Sequence, residues 1–137
     1  MYNVKLAYFP IGRQTFDLEI AQQYFSESLK VLREFAKDVQ APKRMITSIE
    51  ELTHYMDTLS KDVDLIVFQM LTFADASFIT HILPKYPQRV LVWSVREPST
   101  GGRLRLNSLT GGNSTCHTLQ RHERAFDFLF GNPDEEE

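Results

Sequence analysis

The chain has 137 residues, is 42% hydrophobic and 24% charged, and carries a formal net charge of −3. Those values fit one compact globular domain with a sizeable core. They argue against a nucleic-acid surface, since the basic residues are scattered among acids, and no run approaches the ~18 apolar residues of a membrane span.

The first apolar run, Val4 to Phe9, is β-rich and ends at Pro10 and Gly12, which predicts a buried strand covered on both faces. Leu18, Ala21, Phe25, Leu29, Leu32, Phe35 and Val39 then recur at spacings of three and four, the pattern of a long amphipathic helix. Thr15 or Asp17 is placed to cap it. A second strand is expected over Arg44 to Ile46. "TSIEE" offers a capping box in two registers, Thr47 with Glu50 or Ser48 with Glu51, before a helix reaching about Leu59. Val63 to Met70 reads as a third strand. A helix over Ala74 to Leu83 is stopped by Pro84. Arg89 to Val95 is a fourth strand, a polar helix is expected from about Ser114 to Glu123, and "AFDFLFG" is a fifth strand. The acidic "PDEEE", residues 133–137, reads as a tail or the start of a linker after a single domain over 1–132.

Strands alternating with amphipathic helices imply a parallel sheet covered on both faces. The expected fold is therefore α/β: a five-stranded, doubly wound parallel sheet of flavodoxin-like, Rossmann-like type in three layers. Such sheets bind ligands beyond the carboxyl ends of their strands. The loop after the fourth strand is long for an α/β connection. It carries two Thr-Gly-Gly triplets, with Arg103, Arg105, Asn107, Ser108 and Thr110 between and around them. Donors beside exposed backbone N–H groups suit an oxygen-rich ligand, a phosphate or a polyhydroxy sugar. A plain connecting turn is an equally open reading of the same spacing.

Other chemistries find little support. The loop after the first strand, "PIGRQTF", lacks a dinucleotide fingerprint, and no P-loop is present. His54, His81, His117 and His122 lack metal-site spacing, so no metal site within the chain is expected. Cys116 is the only cysteine, which excludes an internal disulfide and points to a reducing, cytoplasmic setting. Its expected place near a helix start would lower its pKa, although a small semi-buried cysteine is the simpler reading. Trp93 reads as core, and Phe73 as core or pocket lining.

"WSVREPSTGGRLRLNSLTGGNSTCHTLQRH" resembles the end of the N-terminal domain of the L-fucose and L-arabinose isomerase group of sugar isomerases. "VKLAYFPIGRQTFD" resembles that group's first strand and loop, and "FGNPDEE" the stretch before its next domain. The resemblance implies one domain of a longer aldose–ketose isomerase that uses manganese. Its metal ligands and proton-shuttling carboxylates would lie in later domains, leaving this domain inactive by itself. The domain would cover the active site of a neighbouring subunit in a homo-oligomer and touch the sugar there. By position, the resemblance assigns substrate contact to Arg13, Gln14, Asn107, Ser108, Leu109 and Thr110, with Gly111 and Gly112 allowing close approach. The alternative is a free-standing flavodoxin-like module that binds a sugar, phosphate or mononucleotide.

Overall fold

A computed structural model describes residues 2–99 and 103–135. The sheet has five parallel strands in the order β2-β1-β3-β4-β5, the flavodoxin-like order. In chain order the elements are β1 (Tyr2–Ile11), α1 (Leu18–Phe35), β2 (Ala36–Gln40), α2 (Ile49–Thr58), β3 (Leu65–Met70), α3 (Ser77–Ile82), β4 (Val90–Ser94), α4 (Ser108–Arg121) and β5 (Phe126–Phe130).

Alternation along β1 divides the core in two. Ala7, Phe9 and Ile11 pack with Leu52 of α2, Ile79 of α3 and Leu119 of α4. Leu6 and Tyr8 face the other way, onto Ala21, Phe25 and Leu32 of α1. Three helices thus cover one face and α1 covers the other, which gives the three layers. Polar links fasten the layers. Tyr8 Oη donates to Gln69 Oε1, and Gln69 Nε2 donates to Ser28 Oγ at 2.9 Å, all buried. Tyr55 Oη lies 2.8 Å from Tyr8 O and 3.1 Å from Gln40 O, tying α2 to β1 and β2.

Local signals hold at the helix starts. Asp17 caps α1 by accepting from Ile20 N. The capping box adopts the Ser48/Glu51 register: Ser48 Oγ accepts from Glu51 N at 3.1 Å, while Glu51 Oε1 accepts from Thr47 N. β1 continues through Pro10 to Ile11, because the Pro10 carbonyl still accepts from Ile46 N at 2.7 Å.

Three boundaries differ from expectation. The second strand is Ala36–Gln40, directly after α1, and Arg44–Ile46 contributes only the bridge from Ile46 to Ile11. Val39 stands at i+4 from Phe35, so helical periodicity runs past the true helix end. β2 is an edge strand with few buried positions, so it lacks an apolar run. α3 is short, six residues. The largest change is α4, which starts at Ser108, not Ser114, and so takes in the second Thr-Gly-Gly triplet. The first triplet, Thr100 to Gly102, read as a turn leaving the fourth strand, lies outside the described residues. Among the described residues, no helix is long and apolar enough to cross a membrane.

Candidate functional site

Three loops converge at the carboxyl edge of the sheet. Gly12 follows β1, and its N–H donates to Ile46 O at 2.9 Å. A Cβ there would stand 2.9 Å from Met45 Sδ, so the chain passes close to the neighbouring loop. Arg13 N donates to Thr72 Oγ1 at 2.8 Å, and that hydroxyl donates to Phe73 O at 2.9 Å. The β1 loop is thereby fixed to the β3 loop. Phe16 and Phe73 add a tilted ring contact with centroids 6.4 Å apart.

The long loop after β4 is stitched to both. Phe73 N donates to Leu106 O at 2.7 Å, and Asp17 N to Arg105 O at 3.1 Å. Leu106 is fully buried in the α1-side core. The Arg105 guanidinium pairs with the Asp17 carboxylate, Nε to Oδ2 at 3.0 Å. That hydrogen bond holds the Asp17 carboxyl below the ordinary range. Glu97 organises the loop's return. Its carboxylate accepts from three successive backbone N–H groups: Arg105 at 2.7 Å, Leu106 at 3.1 Å and Asn107 at 2.6 Å. A concave run of N–H groups is what a phosphate would use. Here the chain's own carboxylate fills it. Asn107 then takes the left-handed conformation, φ 55°, and α4 begins.

The predicted residues divide sharply in their surroundings. Ser108 is buried; its Oγ donates to Met70 O and accepts from Val95 N at 2.9 Å. Gly111 and Gly112 are also buried, on the face of α4 that meets the sheet. A Cβ on Gly112 would collide with Ser94 Oγ and come 2.9 Å from a Phe128 ring carbon. A Cβ on Gly111 would come 2.9 Å from Met70 Cε and 3.3 Å from Phe73 Cα. Both glycines bring the helix against the sheet. Arg13, Gln14 and Thr110 are exposed, Leu109 is 43% exposed and Asn107 is half-buried. Arg13 and Gln14 on one side and Asn107 to Thr110 on the other flank the Thr72–Phe73 turn. Among the described residues, no hydrogen bond or ion pair engages the Arg13 side chain. Asp75 is close enough for the Arg13 charge to act on it. The Asp75 carboxyl is held low first by its hydrogen bonds from Ser77 and further by Arg13. Gln14 Nε2 reaches Thr47 Oγ1 at 3.4 Å, at the rim of an open depression of about 340 Å³ shared with Arg44 and Glu51.

Glu97 and Thr72 escaped the sequence reading. Neither belongs to a motif; each acts through backbone groups that folding brings to it. Cys116 lies in the ninth position of α4, away from its start, and burial pushes the thiol up, so activation by the helix terminus is corrected. His54, His81, His117 and His122 are all exposed. Among the described residues, no three His, Cys, Asp or Glu side chains are grouped to hold a metal ion.

No protein-family model matches the chain. It is 50% identical over 136 residues to a sulfoquinovose isomerase from Priestia aryabhattai, covering 98% of this chain and 30% of that protein. It is 46% identical over 128 residues to a sulfoquinovose isomerase from Alkalicoccus urumqiensis, covering 93% of this chain and 29% of that protein. A sulfoquinovose isomerase from Clostridium sp. (strain MSTE9) is 38% identical over 138 residues, with 99% and 30% covered. The chain is thus similar, nearly end to end, to sugar isomerases of which it spans about 30% of the length.

Proposed function

We propose that this chain is the N-terminal, substrate-covering domain of a longer aldose–ketose isomerase acting on a sulfonated sugar. The observation that carries the reading is the 50% identity, across 98% of the chain, to a sulfoquinovose isomerase. The fucose- and arabinose-isomerase resemblance supports the same reaction class and the same placement at a subunit boundary. The sugar in the relatives' names favours a substrate with a sulfonate group.

The chemistry of the exposed edge supports this role. An open-chain sugar excluded from water needs a partner for each hydroxyl. Thr110, Asn107 and Gln14 offer such partners from rigid supports. Arg13 offers an exposed guanidinium, and a guanidinium fork matches an oxyanion of three oxygens. Leu104 and Leu109, at 56% and 43% exposure, give this edge the apolar rim that a neighbouring subunit would cover. Manganese, when bound, would polarise the sugar carbonyl from residues outside this chain. The part assigned here is to hold the sugar's far end and exclude water.

The full-length protein tests the reading through its substrate preference. With manganese present it should isomerise sulfoquinovose in preference to the same sugar lacking the sulfonate. Arg13→Ala should raise KM for the sulfonated sugar roughly 10- to 100-fold, the worth of one charge-assisted contact. The unsulfonated sugar should lose little, and Arg13→Lys should keep part of the preference. Equal losses on both sugars would remove Arg13 from the sulfonate. Absence of isomerisation would overturn the reading itself.

A further inference from the structure

A second unpaired guanidinium stands at the carboxyl edge, on the far side of the β1 loop from Asp75. Arg105 is paired with Asp17, and Arg96 with Glu135. Among the described residues, no hydrogen bond or ion pair engages the exposed Arg44 side chain. Arg44 belongs to the loop from β2 to α2, and its support is rigid. Met45 and Ile46, the next two residues, are 6% and 2% exposed. Ile46 N donates to Pro10 O at 2.7 Å, and Ile46 O accepts from Gly12 N at 2.9 Å. This loop is thus bolted to the β1 loop two residues ahead of Gln14.

Arg44 and Gln14 both line the open depression of about 340 Å³, to which Leu18 and Met45 give apolar walls. Its size lies within the range of small-molecule sites, about 300–1,000 Å³. Its other polar groups are already engaged. Glu51 Oε1 accepts from Thr47 N at 3.1 Å and from Thr47 Oγ1 at 2.7 Å, as part of the α2 capping box. Burial pushes the Glu51 carboxyl up, but hydrogen bonds from Thr47 and Ser48 outweigh it, and the Arg44 charge adds to them. Arg44 therefore acts on Glu51 through space without bonding to it. Gln14 Nε2 reaches Thr47 Oγ1 only at 3.4 Å, long for a hydrogen bond and readily exchanged for a better partner. What remains to grip a ligand is the Arg44 fork, which only donates, and the Gln14 amide N–H groups. Two sets of donors suit an oxyanion better than a hydroxyl.

Arg13 adjoins Gln14 in the chain and acts on Asp75, on the β3 side of β1, whereas Arg44 lies on the β2 side. The β1 loop thus runs between two guanidiniums. One fork takes two oxygens of a sulfonate and leaves the third for another donor. We propose that Arg44 is a second specificity-determining residue, which with Gln14 binds the anionic group of the substrate in this depression while Arg13 closes on it across the β1 loop. This rests on the proposed activity on a sulfonated sugar.

The test uses the full-length protein, with kinetics on sulfoquinovose and on the same sugar lacking the sulfonate. Arg44→Ala should raise KM for the sulfonated sugar roughly 10-fold, with kcat within about twofold. KM for the unsulfonated sugar should not move. Arg44→Lys should keep part of the preference, since an ammonium retains the charge without the fork. Lys43→Ala removes the neighbouring exposed charge and should change neither sugar. Arg13→Ala combined with Arg44→Ala should cost less than the product of the single losses, because both grip one anion. Calorimetry with inorganic sulfate should show binding that Arg44→Ala weakens about 10-fold. Equal losses on both sugars, an equal loss from Lys43→Ala, or a double variant that multiplies the single losses would overturn the proposal. If neither sugar is isomerised, the proposed activity fails and the sulfate titration decides this site. Sulfate binding weakened by Arg44→Ala keeps it; binding that is absent or indifferent to Arg44 removes it. An active enzyme whose preference ignores Arg44 keeps the activity and removes the site.

Discussion

At the scale of single residues, the carboxylate of Glu97 has the largest role for its size. Three successive N–H groups depend on it, and they set the point where the long loop turns into α4. Hydrogen bonds to a charged acceptor contribute about 1.5–3 kcal/mol, and removing the acceptor leaves its donors to water or to nothing. Glu97→Ala should therefore destabilise the protein by about 2 kcal/mol. Hydrogen exchange should show the loss first at Arg105 to Asn107; a uniform loss across the sheet would contradict a local latch. The neighbouring acids give a pH signature. Asp17 is held low by Arg105, and Asp75 by Ser77 and then Arg13. A depressed folded pKa contributes stability above the unfolded value and loses it as pH falls through the folded one. Thermal midpoints should thus be flat from pH 7 to about 5 and fall below about pH 4. Asp17→Asn should flatten that fall, as calorimetry across the range would show. None of these contacts was legible beforehand. Asp17 was readable as a cap, because a cap is local. Its partnership with Arg105 spans 88 residues and exists only once the sheet is built.

At the scale of elements, the apolar pattern placed four of the five strands, β1, β3, β4 and β5, and both capped helices. It failed where packing overrode propensity. Glycine costs about 1 kcal/mol in a helix interior, so a Gly-Gly pair reads as a break. α4 runs straight through it, because only glycine lets the helix settle on Ser94 and Phe128. The missing side chains serve the sheet, and the neighbouring exposed Thr110 and Leu109 are held at a fixed height above it. Gly112→Ala drives a methyl into Ser94 Oγ, inside any allowed contact, so the helix or the serine must move. Overpacking of this kind costs about 1–3 kcal/mol. Urea unfolding should show that loss. In the full-length enzyme, KM should also rise as the helix start lifts from the site. A substitution that left both stability and KM unchanged would mean the helix can shift freely. The edge strand β2 failed for the opposite reason: with one side of the sheet ending there, it needs few apolar residues, and no pattern marks it.

At the scale of the whole molecule, the sheet order and the loop stitching decide what the domain can do alone. The order β2-β1-β3-β4-β5 brings the β1, β3 and β4 loops to one edge. That much followed from strand–helix alternation, since right-handed crossovers leave few other arrangements. The resulting surface is open, with its donors on a rim and its apolar residues Leu104 and Leu109 facing outward. Binding energy for a small polar sugar comes mainly from enclosure, which removes competing water. An open rim supplies orientation without enclosure. It also lacks a set of carboxylates and histidines able to hold a metal, among the described residues. Residues 1–137 prepared alone should therefore show no manganese-dependent isomerisation of sulfoquinovose and no saturable binding below millimolar concentration, about −4 kcal/mol. Adding the remainder of the protein as a separate polypeptide should restore turnover if the two parts associate. Isothermal calorimetry on the isolated domain and a ketose assay on the mixture measure these two outcomes. Turnover by the isolated domain would require an acid–base pair at the Arg13–Thr110 edge, where the Asp75 carboxylate is close enough to feel the Arg13 charge. Asp75→Asn would then abolish that turnover, whereas in the domain proposed here it should leave the full-length enzyme's kcat within about twofold.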